Sequence, residues 1–199
     1  SSSMKPSASP LVSDDSRPTS ISSVASIVDV SAIGHGSTLE VRDSESLNNF
    51  EHGIESWDGA AVILIDNRCE ANSRNGIHAD NGLASATIEG NQLVSNREFG
   101  LVLASAGSGR VSGNTARTNL LGGLVIRTAA ASVPVVSNQA NSNQGPGLIL
   151  EKGLSPASYS SNSVSQNAGS QILAAADLAT PSEPVPAEPP PRATTVPEP

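Results

Sequence analysis

Short stretches of this chain alternate between inward apolar and outward positions, and the pattern returns every 23 or 24 residues. A period of two is typical of β-strands, because successive side chains of a strand point to opposite faces. Each repeat predicts a strand such as 62–65, a turn bounded by Asn, a Gly, a second strand such as 101–103, and a loop. Three apolar series predict the interior, namely Val41, Leu64, Ile88, Val111, Val135 and Tyr159; Ser46, Cys69, Leu93, Ala116, Ala140 and Val164; and Ile54, Ile77, Leu101, Leu124, Leu148 and Ile172.

Asparagine and glycine recur with the same period. The first Asn series is Asn67, Asn91, Asn114, Asn138 and Asn162, with Ser44 in the equivalent first place. The second lies five residues later in every repeat, as Asn49, Asn72, Asn96, Asn119, Asn143 and Asn167. A Gly follows four residues after that, as Gly53, Gly76, Gly100, Gly123 and Gly147, until Gln171 replaces it. Because Asn and Gly both tolerate left-handed backbone, we expect them to turn the chain, with the Asn amides stacked into a ladder.

The repeat also admits a leucine-rich-repeat solenoid, since residues 62–69 approximate its LxLxxNxL pattern. That fold needs a helical or 3₁₀ convex side. The other half of this repeat, such as NSRNGIHADNG, is broken by Asn and Gly and then alternates again, which favours strands.

The NxxxxNxxxGLxL pattern resembles the parallel β-helix repeats of the pectate-lyase-like superfamily, over roughly residues 38–177. The resemblance implies an all-β, right-handed, single-stranded parallel β-helix of about six coils. That superfamily includes polysaccharide lyases, hydrolases and epimerases, phage tailspikes, adhesins and non-catalytic repeat proteins. The resemblance therefore implies the fold and leaves the activity open.

Composition divides the chain into segments. Thirteen of the first 37 residues are Ser, which predicts a flexible Ser/Pro-rich arm over residues 1–20. Residues 21–37 are more apolar and predict an N-terminal cap or a degenerate first coil. Residues 38–177 form the predicted β-helix. Eight of the 14 prolines fall in residues 181–199, so residues 178–199 predict a disordered Pro-rich tail.

Charge and cysteine content exclude several functions. The net charge of −8 offers no basic surface for nucleic acid. A single cysteine, Cys69, excludes an intrachain disulfide, and no apolar run is long enough to span a membrane. The first residues lack the apolar stretch of a signal peptide, which a mature chain would also lack. The compartment stays open, with an extracellular or cell-surface location favoured.

Two outward surfaces are candidates for function. Glu55, Trp57, His78 and Asp80 should lie on adjacent strands, where two carboxylates, an imidazole and an indole suit the binding or cleavage of a sugar. Glu55, His78 and Asp80 are the catalytic candidates. The alternatives are a solvated charged face, or a Trp covered by the N-terminal arm.

The second surface is an outward apolar stripe formed by Val102, Val125, Ile149 and Leu173. An exposed apolar stripe indicates a covering element, which is a loop, the tail or a second copy of the chain. The coil ends offer another route to self-association, because unpaired strand edges associate.

The sequence predicts no metal site and no cofactor. His35, His52 and His78 lack metal-ligand spacing, and the calcium-binding carboxylates and basic residue that the resemblance implies for lyases are absent. We therefore expect a non-catalytic β-helix module acting as a scaffold, adhesin or protein-interaction surface. The alternative is a polysaccharide-binding or polysaccharide-degrading protein that uses the Glu55, Trp57, His78 and Asp80 face.

Overall fold

The computed structural model describes residues 11–13, 18–22, 30–33, 36–57, 59–80, 82–127, 133–150 and 159–174. These residues form twenty strands joined by turns, and none of them lies in an α-helix. Within the same residues there is accordingly no helix that could cross a membrane.

The strands lie in three parallel sheets. Sheet A contains β1 (Leu11–Ser13), β3 (Val30–Ile33), β6 (Ile54–Trp57), β9 (Ile77–Ala79), β12 (Phe99–Leu103), β15 (Gly122–Ile126), β18 (Leu148–Leu150) and β20 (Ile172–Ala174). Sheet B contains β2 (Pro18–Ser22), β4 (Thr38–Arg42), β7 (Ala61–Ile65), β10 (Ser85–Glu89), β13 (Gly109–Ser112) and β16 (Val135–Val136). Sheet C contains β5 (Glu45–Leu47), β8 (Arg68–Glu70), β11 (Gln92–Val94), β14 (Thr115–Arg117), β17 (Gln139–Asn141) and β19 (Ser163–Ser165).

The chain visits sheets A, B and C in turn, so one circuit is one coil. Each strand pairs in parallel with its equivalents in the neighbouring coils, as β7 does with β4 and β10. This topology confirms the predicted parallel β-helix. Sheet C is the difference: the segment between the two Asn series, which the sequence predicts as a turn, is a three-residue strand in each coil.

Five consecutive coils, from β3 to β17, have a strand in every sheet. The sequence predicts about six. The next circuit contributes β18 and β19, and residues 151–158, where its sheet B strand would fall, lie outside the described residues.

The sheets extend beyond the predicted N-terminal boundary. β1 pairs with β3, and β2 pairs with β4, within a segment predicted as a flexible arm and a cap. Parallel pairing is a backbone interaction, so a Ser-rich segment joins a sheet when the next coil supplies its partners. Residues 1–10 and the predicted tail at 178–199 lie outside the described residues.

The predicted interior series form the core. From β4 to β18 every member of the three series is at most 1% exposed. The last members differ, because Tyr159 and Val164 are only partly buried and Ile172 is 41% exposed. The interior therefore becomes accessible at the C-terminal coil.

Two ladders of buried asparagines follow the corners on either side of sheet C. In the first, Asn67 donates its backbone N–H and its side-chain Nδ2–H to Asn91 Oδ1, both at 3.0 Å. The same Nδ2 also donates to the Val41 carbonyl of the preceding coil at 2.9 Å. In the second ladder, Asn72 makes the equivalent bonds to Asn96. The ladders thus provide an acceptor for the backbone N–H at each corner and link it to the neighbouring coils.

The left-handed residues of these corners are not the asparagines themselves. Positive φ falls on the residue just before each ladder position, such as Asp66 at 54° and Ala71 at 56°. The ladder Asn is needed for its hydrogen bonds, and its predecessor makes the turn. The repeating glycines likewise serve another purpose, because a Cβ on Gly76 would lie 2.7 Å from the Gly100 carbonyl oxygen.

The ladder predicts a large stability cost for one deleted amide. Asn91→Ala removes the acceptor of two Asn67 donors and the donor to the Leu64 carbonyl, all buried. We expect the free energy of unfolding to fall by about 3 kcal/mol, since each buried unpaired group costs about 1–3 kcal/mol. Urea unfolding followed by circular dichroism measures the loss.

Asn141→Ala is the matched control. Its side chain lies outside both ladders and accepts one exposed bond from Ser165. We expect a loss below about 0.5 kcal/mol there. Equal losses in the two variants would contradict the assigned role of the ladder.

Candidate functional site

The outer face of sheet A brings the four predicted surface residues together. Glu55 in β6 is the direct lateral neighbour of His78 in β9, while Trp57 ends β6 and Asp80 directly follows β9. His78 Nδ1 lies 3.2 Å from Glu55 Oε1, and His78 Nε2 lies 3.8 Å from Asp80 Oδ2. Trp57 is 37% exposed.

A fifth residue, His52, joins this cluster from the corner between β5 and β6. It is 2% exposed, and its ring stacks on the His78 ring with 4.5 Å between centroids. His52 Nε2 lies 3.3 Å from Glu55 Oε1. The sequence did not predict His52 as a member of this face. The available signal was its repeat position, which Asn75 occupies in the next coil as another buried polar residue.

The backbone sets the protonation state of His52. The Asn75 backbone N–H donates to His52 Nδ1 at 3.2 Å, so this nitrogen carries a lone pair and Nε2 carries the proton. The ring is therefore neutral. Burial, assisted by the nearby charges of His78 and Arg74 and opposed by Glu55, lowers the pKa of His52 from 6.5 to about 4.

Glu55 is the centre of the cluster. Burial acts to raise the pKa of its carboxyl, but the hydrogen bond from His78, the charges of His52 and His78 and a hydrogen bond from Trp57 outweigh burial. The pKa of Glu55 therefore lies below its ordinary value. The carboxylate holds both imidazoles and the indole in fixed orientations, and the Trp57 ring stands edge-on to His78 with 6.4 Å between centroids.

A groove of about 290 Å³ passes over this cluster. Three lining residues, Glu55, His78 and Val102, are lateral neighbours on consecutive strands, so the groove follows the long axis of the solenoid. The complete lining is His52, Glu55, Trp57, Arg74, Asn75, His78, Glu98, Phe99, Val102 and Arg127.

One rim of the groove is charged. Arg74 lies between Glu51 of the preceding coil, at 3.1 Å, and Glu98 of the following coil, at 3.5 Å. These ion pairs are exposed and add little stability, but they keep donors and acceptors of both signs along the groove.

Short contacts within the cluster engage both Glu55 and His78. Glu55 is ionised at neutral pH and its carboxylate already accepts several hydrogen bonds, so it is not a proton donor. His78 has a carboxylate facing each ring nitrogen. None of the described residues that line the groove is Ser, Thr or Cys. Of the three catalytic candidates, Glu55 and His78 are hydrogen-bonded to each other, whereas Asp80 lies 3.8 Å from His78 Nε2.

The cluster also contains three possible metal ligands. One ligand atom from each of His52, Glu55 and His78 lies within 4.8 Å of the others, which suits a divalent metal ion. A histidine that binds metal through Nε2 must carry its proton on Nδ1. Here the Asn75 N–H already points at that nitrogen, and two donors would face each other. The cluster is therefore an internal hydrogen-bond network.

The apolar stripe is only partly accessible. Val102, Val125, Ile149 and Leu173 are lateral neighbours, as predicted. Val102 and Val125 are 4% and 2% exposed, and Ile149 and Leu173 are half-buried. Cover within the chain therefore accounts for Val102 and Val125, which do not offer a docking surface.

Cys69 is an interior residue. Its side chain is fully buried, and burial raises the pKa of the thiol to about 12. It contributes packing volume to the core and no reactive thiolate.

Comparison with known families agrees with this geometry. The family model described as the right-handed beta helix region matches residues 30–180, which is most of the chain. The chain belongs to the right-handed β-helix family. No curated protein matches the chain, and no solved structure does either.

The neutral state of His52 predicts acid sensitivity of the β-helix. Because the pKa of His52 falls from 6.5 to about 4 on folding, the unfolded chain takes up this proton first as the pH drops. Stability should decrease between pH 6.5 and about pH 4 by about 2 kcal/mol, and this contribution is constant outside that window. Urea unfolding of wild type and His52→Gln across this range measures the difference.

His52→Gln keeps a polar side chain that cannot titrate, so its stability should depend less on pH in that window. A wild-type pH dependence in the variant would contradict the buried neutral imidazole. Glu55 acts separately, since its lowered pKa gives stability that is lost only as the pH falls below 4.5.

Proposed function

We propose that this β-helix is a non-catalytic carbohydrate-binding module whose ligand lies in the groove on sheet A. The observation that carries the proposal is the half-exposed Trp57, oriented by Glu55 and His78 at the edge of a polar groove. An indole face of fixed orientation offers an apolar plane for the C–H face of a sugar ring, at little cost in side-chain entropy.

The groove supplies polar partners for sugar hydroxyls. Arg74, Glu98 and Arg127 line it with donors and acceptors, and Asn75 lies beneath them. A volume of about 290 Å³ is close to the lower limit of about 300 Å³ for small-molecule sites, which suits one or two sugar rings of a longer chain. Because the groove follows the solenoid axis, an extended glycan fits it better than a compact ligand does.

The electrostatics favour binding over cleavage. A glycosidase needs one protonated and one ionised carboxyl group beside the scissile bond. The lowered pKa of Glu55 leaves this carboxyl ionised, and its hydrogen bonds are made within the protein. A solvated charged face without a ligand is the competing interpretation, and the test below separates the two.

A glycan array followed by titration calorimetry tests the proposal. We expect wild type to bind at least one extended glycan without cleaving it. Trp57→Ala should weaken this binding by about tenfold or more, which corresponds to about 1.4 kcal/mol for a lost stacking partner. Asp80→Asn should weaken glycan binding less than Trp57→Ala does.

Two variants serve as matched controls. Phe50→Ala removes an aromatic ring that is 93% exposed on a corner outside the groove, and Asp66→Asn neutralises an exposed carboxylate on another corner. Both should bind like wild type. Absence of glycan binding by wild type, or equal losses in Trp57→Ala and Phe50→Ala, would refute the proposal. If wild type cleaves a glycan and Asp80→Asn abolishes this cleavage, the protein is an enzyme and the proposal of a non-catalytic module is wrong.

Assembly through the C-terminal coil is a second candidate function. Ile172 in β20 is 41% exposed, whereas its equivalents Ile54, Ile77, Leu101, Leu124 and Leu148 are at most 1% exposed. β20 is the last strand of sheet A within the described residues, and an exposed interior position there suits the end of another β-helix, including a second copy of this chain. This interface would make the module a scaffold or adhesin component.

Sedimentation over about a hundredfold range of protein concentration tests this candidate. We expect wild type to self-associate and Ile172→Asn to remain monomeric. Leu120→Asn is the control, because Leu120 is similarly exposed, at 45%, but lies on a corner. A monomeric wild type, or an equal effect of both substitutions, would exclude self-association through this coil.

A further inference from the structure

His52 is the most deeply buried of the ionisable residues that line the groove, at 2% exposed. We infer that His52 is a positioning residue: as a neutral imidazole it holds the Glu55 carboxylate, and Glu55 orients Trp57 and His78 toward the groove. This inference rests on the proposed function only where ligand affinity is measured. The orientation of the indole is a property of the protein alone.

The position of His52 is set by three coils. The Phe99 backbone N–H donates to Asn75 Oδ1 at 3.0 Å, and the Gly53 N–H donates to the Asn75 carbonyl at 3.0 Å. Asn75 in turn donates its backbone N–H to His52 Nδ1 at 3.2 Å. A backbone amide is always a donor, so this contact selects one tautomer of the ring.

The selected tautomer directs a proton at Glu55. With the proton on Nε2, the donor nitrogen of His52 lies 3.3 Å from Glu55 Oε1, and the same oxygen lies 3.2 Å from His78 Nδ1. The Trp57 indole also hydrogen-bonds to this carboxylate. The Glu55 carboxylate therefore contacts two imidazoles and the indole. We expect its orientation to depend on the buried Nε2 donor of His52.

Protonation of His52 would break this arrangement. A second proton on Nδ1 would face the Asn75 N–H, and the stacked His78 ring lies 4.5 Å away. The ionisable groups around His52 are two carboxyls and two basic side chains, namely Glu55, Glu51, Arg74 and His78. The basic groups oppose the effect of the carboxylates, so the carboxylates alone do not offset the lost hydrogen bond. We expect Trp57 to gain mobility when His52 becomes charged.

Trp57 is the single tryptophan of the chain, so its fluorescence reports this site without background. The anisotropy decay of wild type, His52→Gln and His52→Leu is measured at neutral pH and between pH 6.5 and about pH 4. Glutamine can accept from Asn75 and donate to Glu55, and leucine can do neither. Wild type should show restricted indole motion at neutral pH and freer motion in acid.

His52→Leu should show free indole motion at every pH, whereas His52→Gln should restore restricted motion and lose the acid transition. Glu45→Gln, an exposed carboxylate in sheet C, should behave like wild type. Circular dichroism confirms folding at each pH. A folded His52→Leu with wild-type indole motion would overturn the inference. If that variant fails to fold, a wild-type acid transition in His52→Gln overturns it instead.

Ligand affinity gives the second readout. Toward a glycan that wild type binds, His52→Leu should lose about tenfold in affinity and His52→Gln should recover most of it. If wild type binds no glycan, the proposed function fails. The fluorescence result then still decides whether His52 positions Trp57.

Discussion

Buried amide groups at the corners of each coil are the constraint on which this fold depends. A solenoid coil must turn three times, and each turn leaves backbone N–H and C=O groups without a strand partner. At the two corners beside sheet C, the side-chain oxygen of an asparagine in the next coil accepts the backbone N–H of the ladder residue, at 2.9–3.1 Å. The two Asn series keep a spacing of five residues, and the Gly series a further four, in every repeat that has them. All variation between 23 and 24 residues falls between that Gly and the next first-series Asn, a stretch that contains the connection from sheet A to sheet B.

This constraint also explains the composition. Each coil contributes one thin layer about 4.8 Å high, so the interior accepts Val, Leu, Ile and Ala but little room remains for rings. The two most exposed aromatic side chains are accordingly Phe50 and Trp57. Within the described residues from β4 to β18, small and medium apolar side chains fill the predicted interior positions.

On the outer face of sheet A, residues that are about one repeat apart in the sequence are direct neighbours on adjacent strands. Glu55 and His78 are 23 residues apart along the chain and 3.2 Å apart in the fold. Within the cluster, His52, His78 and Trp57 all lie around one carboxylate, that of Glu55. Contacts of this kind fix side-chain positions, which is the physical basis of the proposed recognition of a sugar.

The amino-acid sequence by itself determined the parallel β-helix, because periodic Asn, Gly and apolar positions are required in every coil and leave a direct record. It also placed Glu55, Trp57, His78 and Asp80 on one face, since lateral neighbours follow from the repeat register. It could not determine the third strand of each coil or the burial of Val102 and Val125. Nor could it determine that β1 pairs with β3 and that β2 pairs with β4. Those depend on which neighbour covers a segment, and no local pattern encodes that. The role of His52 was likewise decided by the tertiary structure, because its tautomer is set by the backbone N–H of Asn75, 23 residues away in sequence.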